Sequence, residues 1–329
     1  MIGRLLRNDD VLRLIVLVAL VIVFGLLTNG VTYSALGLRN ILQQSAIVGI
    51  AAIGQAFVIL TGAIDVSLYG TGMLVSVVGA SALTSRFDLN LFGGDPSSIW
   101  TGAGIMLAVG AVMGGAVNGA LVAWARIPSL VVTLGIWQIG VGLAQLIGGG
   151  YTITDLTPDF GIFGQSSIAG VPIPIVEMLG LFLLAAYVLH HTSFGRSIYA
   201  VGGNAGSAYL SGIKVQRIQF AVFVISGIMV SLAAISITSR MMAASARTLT
   251  GLQIDSVAAV TVGGVSIFGG KGTILGVLIG TLILAVIDSG LGAIGATTAV
   301  QNTVKGAIII VAASIEYFRP RLRLKTTAA

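Results

Sequence analysis

Apolar runs of membrane-crossing length alternate along this chain with short polar connections. A helix needs about 20 mostly apolar residues to cross a bilayer. Ten stretches approach that length, near 11–28, 41–61, 65–84, 101–124, 129–147, 173–191, 218–238, 254–268, 272–291 and 298–317. The second and third run together through Thr61-Gly62-Ala63-Ile64-Asp65-Val66-Ser67, and the eighth is short and ends in the Gly-rich run Gly263–Gly272. Short or glycine-interrupted spans predict discontinuous helices, tolerated in a bilayer only where they are buried or line a cavity. The pattern predicts an all-α integral membrane protein of about ten transmembrane helices, some discontinuous, in a single transmembrane domain over residues 1–329. Gly62–Thr71 and Gly264–Thr273 share the frame G-x7-G-T, each at a junction of two spans. That echo predicts two pseudo-repeated halves, as transporters often have.

One polar, glycine-rich island interrupts this pattern, at residues 192–217 (TSFGRSIYAVGGNAGSAYLSGIKVQR). Asn204, after Gly202-Gly203, is a good helix N-cap because its side chain accepts from a backbone N–H two or three residues on. Gly212, after Ser211, is free to take the left-handed conformation that ends a helix. A short helix of about two turns is predicted between them. Ala205, Ala208 and Tyr209 share one face at helical spacing. A helix this short is unstable alone, so docking on another surface is expected, against the alternative of an ordinary capped surface helix.

Composition agrees with the membrane assignment: 56% of the residues are hydrophobic and only 9% charged, against about 25% charged in soluble domains. The net charge of +6 reads as the bias of cytoplasmic loops toward Lys and Arg rather than as nucleic-acid binding. With the N-terminus inside and spans alternating, the cytoplasmic side holds Arg4, Arg7, Arg13, Arg126, Arg196, Lys214, Arg217, Lys271, Arg319, Arg321, Arg323 and Lys325. The outside holds Arg39, Arg86, Arg240 and Arg247, and Lys305 falls within a span. Both termini and the 192–217 loop are therefore expected in the cytoplasm. Ser85–Trp100 and Gly148–Pro172 are expected as outer loops. Arg4, Arg7 and Arg13 precede the run Leu14–Leu27 as in a signal peptide, but no small-x-small cleavage site follows, so it is read as a retained first helix.

The chemistry-bearing residues are few. There is no Cys, hence no thiolate metal site and no disulfide, and His190-His191 alone make a poor metal site. Lys271 in Gly269-Gly270-Lys271-Gly272-Thr273 is not a phosphate loop: Val265 stands where the first Gly is needed and Gly272 where Ser or Thr is needed. No cofactor is expected in this chain, and no nucleophile, paired-carboxylate or metal constellation points to an enzyme. Asp65, with Ser67 nearby, is a carboxylate at membrane depth, read as a cap of the third span ahead of a substrate or proton role. Asp255 begins a span and is read as a second cap, while Asp288 and Lys305 can pair and lower each other's cost of burial. Gln43, Gln44, Gln55, Asn118 and Gln138 suit either a hydroxylated ligand or interhelical hydrogen bonds.

With these residues in view, the chain resembles the permease subunit of a bacterial ABC sugar importer of the ribose/xylose/arabinose-type branch, related to the branched-chain amino acid permeases. The resemblance runs from about Asn40 onward. It rests on Asn40–Ala46, Thr61–Ser67, Asn118-Gly119, Ile127–Gly135, Phe194–Asn204 with Leu210–Ile213, and Ile254–Val260 leading into Gly263-Gly264. It implies residence in the bacterial inner membrane, a second permease copy or paralogue, cytoplasmic ATPase subunits that use ATP, and a periplasmic or lipid-anchored sugar-binding protein. It also implies that the 192–217 loop carries a coupling helix, with Gly202, Gly203, Asn204, Ala208, Tyr209, Leu210, Ser211 and Gly212 as contact residues. The expected path or hinge residues are Gln43, Gly62, Asp65, Ser67, Asn118, Asp255, Gly263 and Gly264. Two departures stand out: Ala205-Gly206 follow Asn204 where relatives often carry acidic residues, and Ala63 stands where relatives often have a second Gly. Docking is therefore expected to rest on the apolar Ala208, Tyr209 and Leu210. The alternative function is an ion-coupled secondary sugar carrier using Asp65, Asp288 or Lys305.

Overall fold

The computed structural model describes residues 9–84, 98–245 and 247–326. Most of the connection Ser85–Trp100 lies outside the described residues, as do Arg4, Arg7, Arg86 and the side chains of Arg319, Arg321, Arg323 and Lys325. The helices fall where the apolar runs predict them. They are α1 (Asp9–Leu27), α2 (Ala35–Leu60), α3 (Leu68–Leu83), α4 (Ile99–Val109) continuing through a π-helical stretch (Gly110–Val117) into α5 (Asn118–Ala123), α6 (Ser129–Gly148) and α7 (Ile173–His191). After α8 (Ser193–Gly203) and α9 (Ala205–Leu210) come α10 (Val215–Met241), α11 (Leu252–Val262), α12 (Ile274–Ala293) and α13 (Thr298–Thr326). Among the described residues, seven helical spans are long and apolar enough to cross a membrane. The discontinuous segments are also as expected: α3 and α11 are shorter apolar helices, about 24 and 16 Å long at 1.5 Å per residue.

Helices α2 and α10 form the centre. From Ser45 to Leu60 nearly every residue of α2 is buried, because α10, α12, α11 and α7 all pack around it. Ile50, Ile53 and Phe57 meet Val222, Phe223 and Val230 in one core cluster. The two helices approach closely at Gly54, where a Cβ would meet the Ser226 backbone at 2.8 Å. Around this centre, α1, α6 and α7 expose Leu26, Leu146 and Leu183, the apolar surface that lipid requires.

The π-helical stretch was not foreseen. It lies against α10, where a Cβ at Gly115 would meet Val224 Cα at 2.8 Å and one at Gly227 would meet the Gly115 nitrogen at 2.6 Å. Small residues on both sides let the backbones touch, and a widened turn accommodates that approach. Gly148–Pro172 is also more structured than a simple loop. A 3-10 turn (Pro158–Phe163) buries Phe160, and the short strands β1 (Ser167–Ile168) and β2 (Val171–Pro172) pair antiparallel. Ser239 Oγ donates to the Phe160 carbonyl at 2.5 Å, and Ile153 bridges to Ala244. The segment thus caps the end of α10.

Helix ends segregate to two faces. One, the hairpin face, carries β1, β2 and the Ile153–Ala244 bridge. The other, the glycine face, joins the end of α2 to α8 and to the turn between α11 and α12, with Gly270 N donating to the Leu60 carbonyl at 2.9 Å. That partition is the one strict alternation of spans requires. The two G-x7-G-T frames begin alike, with Gly62 at φ +81° and Gly264 at φ +72°, each two residues past a helix end. They then diverge: Gly70 is inside α3, whereas Gly272 precedes α12.

Candidate functional site

The glycine face carries the polar island. Thr192 caps α8, accepting from Gly195 N at 3.1 Å. The chain then breaks at Asn204, whose Oδ1 accepts from Ser207 N at 2.8 Å and starts α9. Gly212, at φ +83°, ends it, with Gly212 N donating to the Tyr209 carbonyl and Ile213 N to the Ala208 carbonyl. Side chains with a Cβ rarely adopt that conformation, so the two caps define a six-residue helix. Tyr209 and Leu210 are 66% and 86% exposed, but Ala208 is only 4% exposed. Ala208, expected to dock outward with its neighbours, is instead buried against the chain itself, and the exposed apolar side chains of this helix are Tyr209 and Leu210.

Behind α9 the backbone contacts are tight. A Cβ on Gly202 would meet the Leu60 carbonyl oxygen and, at 2.5 Å, the Gly270 amide nitrogen, whereas one on Gly203 would meet nothing within 4 Å. Gly202 is thus required by packing and Gly203 is open. Tyr199 on α8 donates to the Gly272 carbonyl at 3.0 Å, and burial pushes its phenol above the usual range. Arg13 of α1 pairs with Asp10 and lies against Gly264. The ends of α2 and α8, the start of α1 and the α11–α12 turn accordingly meet at one place.

Asp65 occupies the break between α2 and α3 and is 1% exposed. Its Oδ1 accepts from Ser67 N at 2.9 Å and Ser67 Oγ at 2.6 Å, and its Oδ2 accepts from Ser226 Oγ at 2.8 Å. Asn118 Nδ2 donates to Ser67 Oγ at 2.8 Å and to the Gly114 carbonyl at 2.9 Å. Ser129 Oγ accepts from Ile64 N at 3.2 Å. Asp65, Ser67 and Asn118 therefore belong to one buried network that ties α3 to α5, α6 and α10, and Asn118 serves interhelical bonding. Asp65 supports the start of α3 through Ser67, where the helix makes no side-chain cap of its own.

Asp255 is not a helix cap. Gly251 holds the position before α11, and the Asp255 carboxylate turns to Lys305, whose Nζ lies 2.9 Å from Asp255 Oδ1 and 2.9 Å from Asp288 Oδ2. The anticipated Asp288–Lys305 pair is present, with Asp255 as its third member. An ammonium attracts both acids more strongly than the weak dipole of an 11-residue helix. Gln43 is half-buried, Gln138 is exposed without a hydrogen bond among the described residues, and Gln55 is fully buried without one.

A bundle of apolar helices, some discontinuous, around a buried polar hub, with a capped helix displayed at one face, is the architecture of a multi-pass membrane protein. The chain belongs to the family described as the branched-chain amino acid transport system permease component, whose profile matches residues 37–313. It is 37% identical over 316 residues to the ribose import permease protein of Escherichia coli strain K12, covering 95% of this chain and 94% of that protein. It is 34% identical over 299 residues to the ribose import permease protein of Bacillus subtilis, covering 90% and 89%. It is 37% identical over 311 residues to the fructose import permease protein of Rhizobium meliloti, covering 92% and 84%. The relatives are named as transport permeases, which agrees with a non-enzymatic chain.

Proposed function

We propose that this chain is the membrane-spanning permease subunit of an ATP-binding-cassette importer that moves a monosaccharide across the bacterial inner membrane by alternating access. The observation that carries the reading is near-full-length similarity to sugar import permeases, and the exposed, capped α9 supports it. ATP is bound and hydrolysed by separate ATPase subunits on the cytoplasmic side, and a sugar-binding protein delivers substrate from outside. A second permease copy or a paralogue completes the path. The positive residues gathered toward the glycine face support a cytoplasmic placement of that face, with both termini on the same side.

In this reading α9, from Asn204 to Gly212 with Tyr209 and Leu210 outermost, is the coupling element of the 192–217 loop. Closure of the ATPase pair pushes on it. The push passes through Gly202 to the end of α2 and the α11–α12 turn, so Gly62, Gly263 and Gly264 act as hinges. Asp65, Ser67 and Asn118 hold the adjoining break rigid, while Gln43 and Asp255 belong to the path. The ATPase and binding protein bias two states of similar free energy in turn. The ion-coupled alternative is disfavoured because Asp255, Asp288 and Lys305 neutralise one another in part and Asp65 is closed off.

Reconstitution in vesicles tests this. With its ATPase and binding protein, uptake is expected only with ATP on the ATPase side. Uptake driven by a proton gradient in the absence of the ATPase would sink the proposal.

A further inference from the structure

Helices α2, α11, α12 and α13 bring a polar cluster together away from the glycine face. Asp255 is in the first turn of α11, Asp288 in the last turns of α12, and Lys305 about two turns into α13. One ammonium serves two carboxyl groups there, one oxygen of each. Asp288 Oδ1 is buried and has no hydrogen-bond partner among the described residues. Asp288 also lines a small pocket together with Gln44, Asp255, Thr281 and the apolar Val48, Leu284 and Ala285, with room for one water-sized group. Gln44 is exposed at the rim and makes no hydrogen bond among the described residues. A free carboxylate oxygen and a free amide are unfavourable against lipid, so these groups face something that offers hydrogen bonds.

We propose that this pocket receives one hydroxyl of the sugar in transit, with Gln44 holding its neighbour; the inference rests on the sugar-permease reading. The hydroxyl donates to Asp288 Oδ1. The Gln44 amide oxygen then accepts from the neighbouring hydroxyl, and its NH2 group donates to a hydroxyl oxygen of the same vicinal pair. A metal cation is the poorer guest, because Lys305 already occupies the place between the two carboxylates and would repel it. A pocket that takes a single hydroxyl grips weakly, which suits a station the sugar must leave. Lys305 is a positioning residue that turns Asp288 Oδ2 away and leaves Oδ1 free.

The test uses the assembled importer in vesicles, supplied with saturating binding protein loaded with D-ribose, D-fructose, D-allose or L-arabinose. The sugar that is taken up is then compared with those of its monodeoxy analogues that the binding protein also carries. The wild type is expected to move the parent sugar about tenfold faster than at least one analogue, the size of one hydrogen bond to a charged group. Asp288→Asn is expected to lower that ratio, and Gln44→Ala to bring to about one the smaller ratio, about threefold in the wild type, for the analogue that lacks the neighbouring hydroxyl. Gln44 has no hydrogen bond to lose, so Gln44→Ala alone decides if Asp288→Asn does not fold. That smaller ratio unchanged in Gln44→Ala, or no discrimination by the wild type, overturns the proposal. So does a wild-type requirement for sodium or potassium that the variants abolish, which would make this a cation site. Absence of ATP-driven uptake of all four sugars by the wild type would instead remove the sugar-permease reading, and this pocket assignment with it.

Discussion

Asp65 and Asp288 are both carboxylates carried at membrane depth, yet their surroundings differ in kind. Around Asp65 the chain supplies two hydroxyls and a backbone N–H, using both oxygens, and no cation is among these partners. Around Asp288 it supplies one ammonium to one oxygen and leaves the other unmatched beside a pocket. A completed shell resists change and suits a fixed joint between helices. An incomplete one is tolerable only where a guest or water finishes it. The same side chain thus makes a structural hub in one place and an open site in the other, and its partners decide which.

The contrast can be broken by substitution. The largest effect is expected from Lys305→Met, which leaves two buried carboxylates facing each other and destabilises by about 3–5 kcal/mol. Thermal unfolding in detergent would show it, and adding Asp288→Asn should recover part of the loss. Next comes Asp65→Ala, which strands three donors and costs about 2–3 kcal/mol by the same measurement. Asp65→Asn keeps one acceptor and should cost about 1–2 kcal/mol, with Ser226→Ala adding little further because the two share one bond. The smallest effect is expected for Gln44→Ala, within about 0.5 kcal/mol, since its side chain holds nothing in the chain. A Gln44→Ala variant as unstable as Asp65→Ala would erase the distinction between the two sites.

Much of the bundle was legible from hydropathy alone, because span length and polar connections are imposed by the bilayer. The caps of α9 were readable too, since Asn204 and Gly212 act through local backbone geometry. Burial of Ala208 was not readable: helical spacing puts it near Tyr209, but which side of a short helix faces inward is set by distant segments. Asp255 was misread for the same reason, its partner lying 50 residues away in the chain. The π-helical stretch left only a faint mark, Gly110, Gly114 and Gly115, and glycine is frequent throughout. Gln44 and Gln138 looked alike as sequence and proved alike in lacking partners among the described residues, yet the packing of distant helices puts Gln44 on a pocket with charged groups.

The coupling assignment of α9 is open to a direct measurement, because the chain has no cysteine. Leu210→Cys places one thiol on the exposed knob, and Ile168→Cys places one on the hairpin face, 58% exposed. Each variant, assembled with the ATPase subunits and the binding protein, is treated with a short reagent that reacts with a thiol at one end and with lysine amines at the other. The thiol at position 210 is expected to cross-link to an ATPase subunit and to stop ATP-driven sugar uptake, while the thiol at position 168 should not reach the ATPase. Uptake that survives with no cross-link from position 210, or cross-linking to the ATPase from position 168, would contradict an importer driven through this helix.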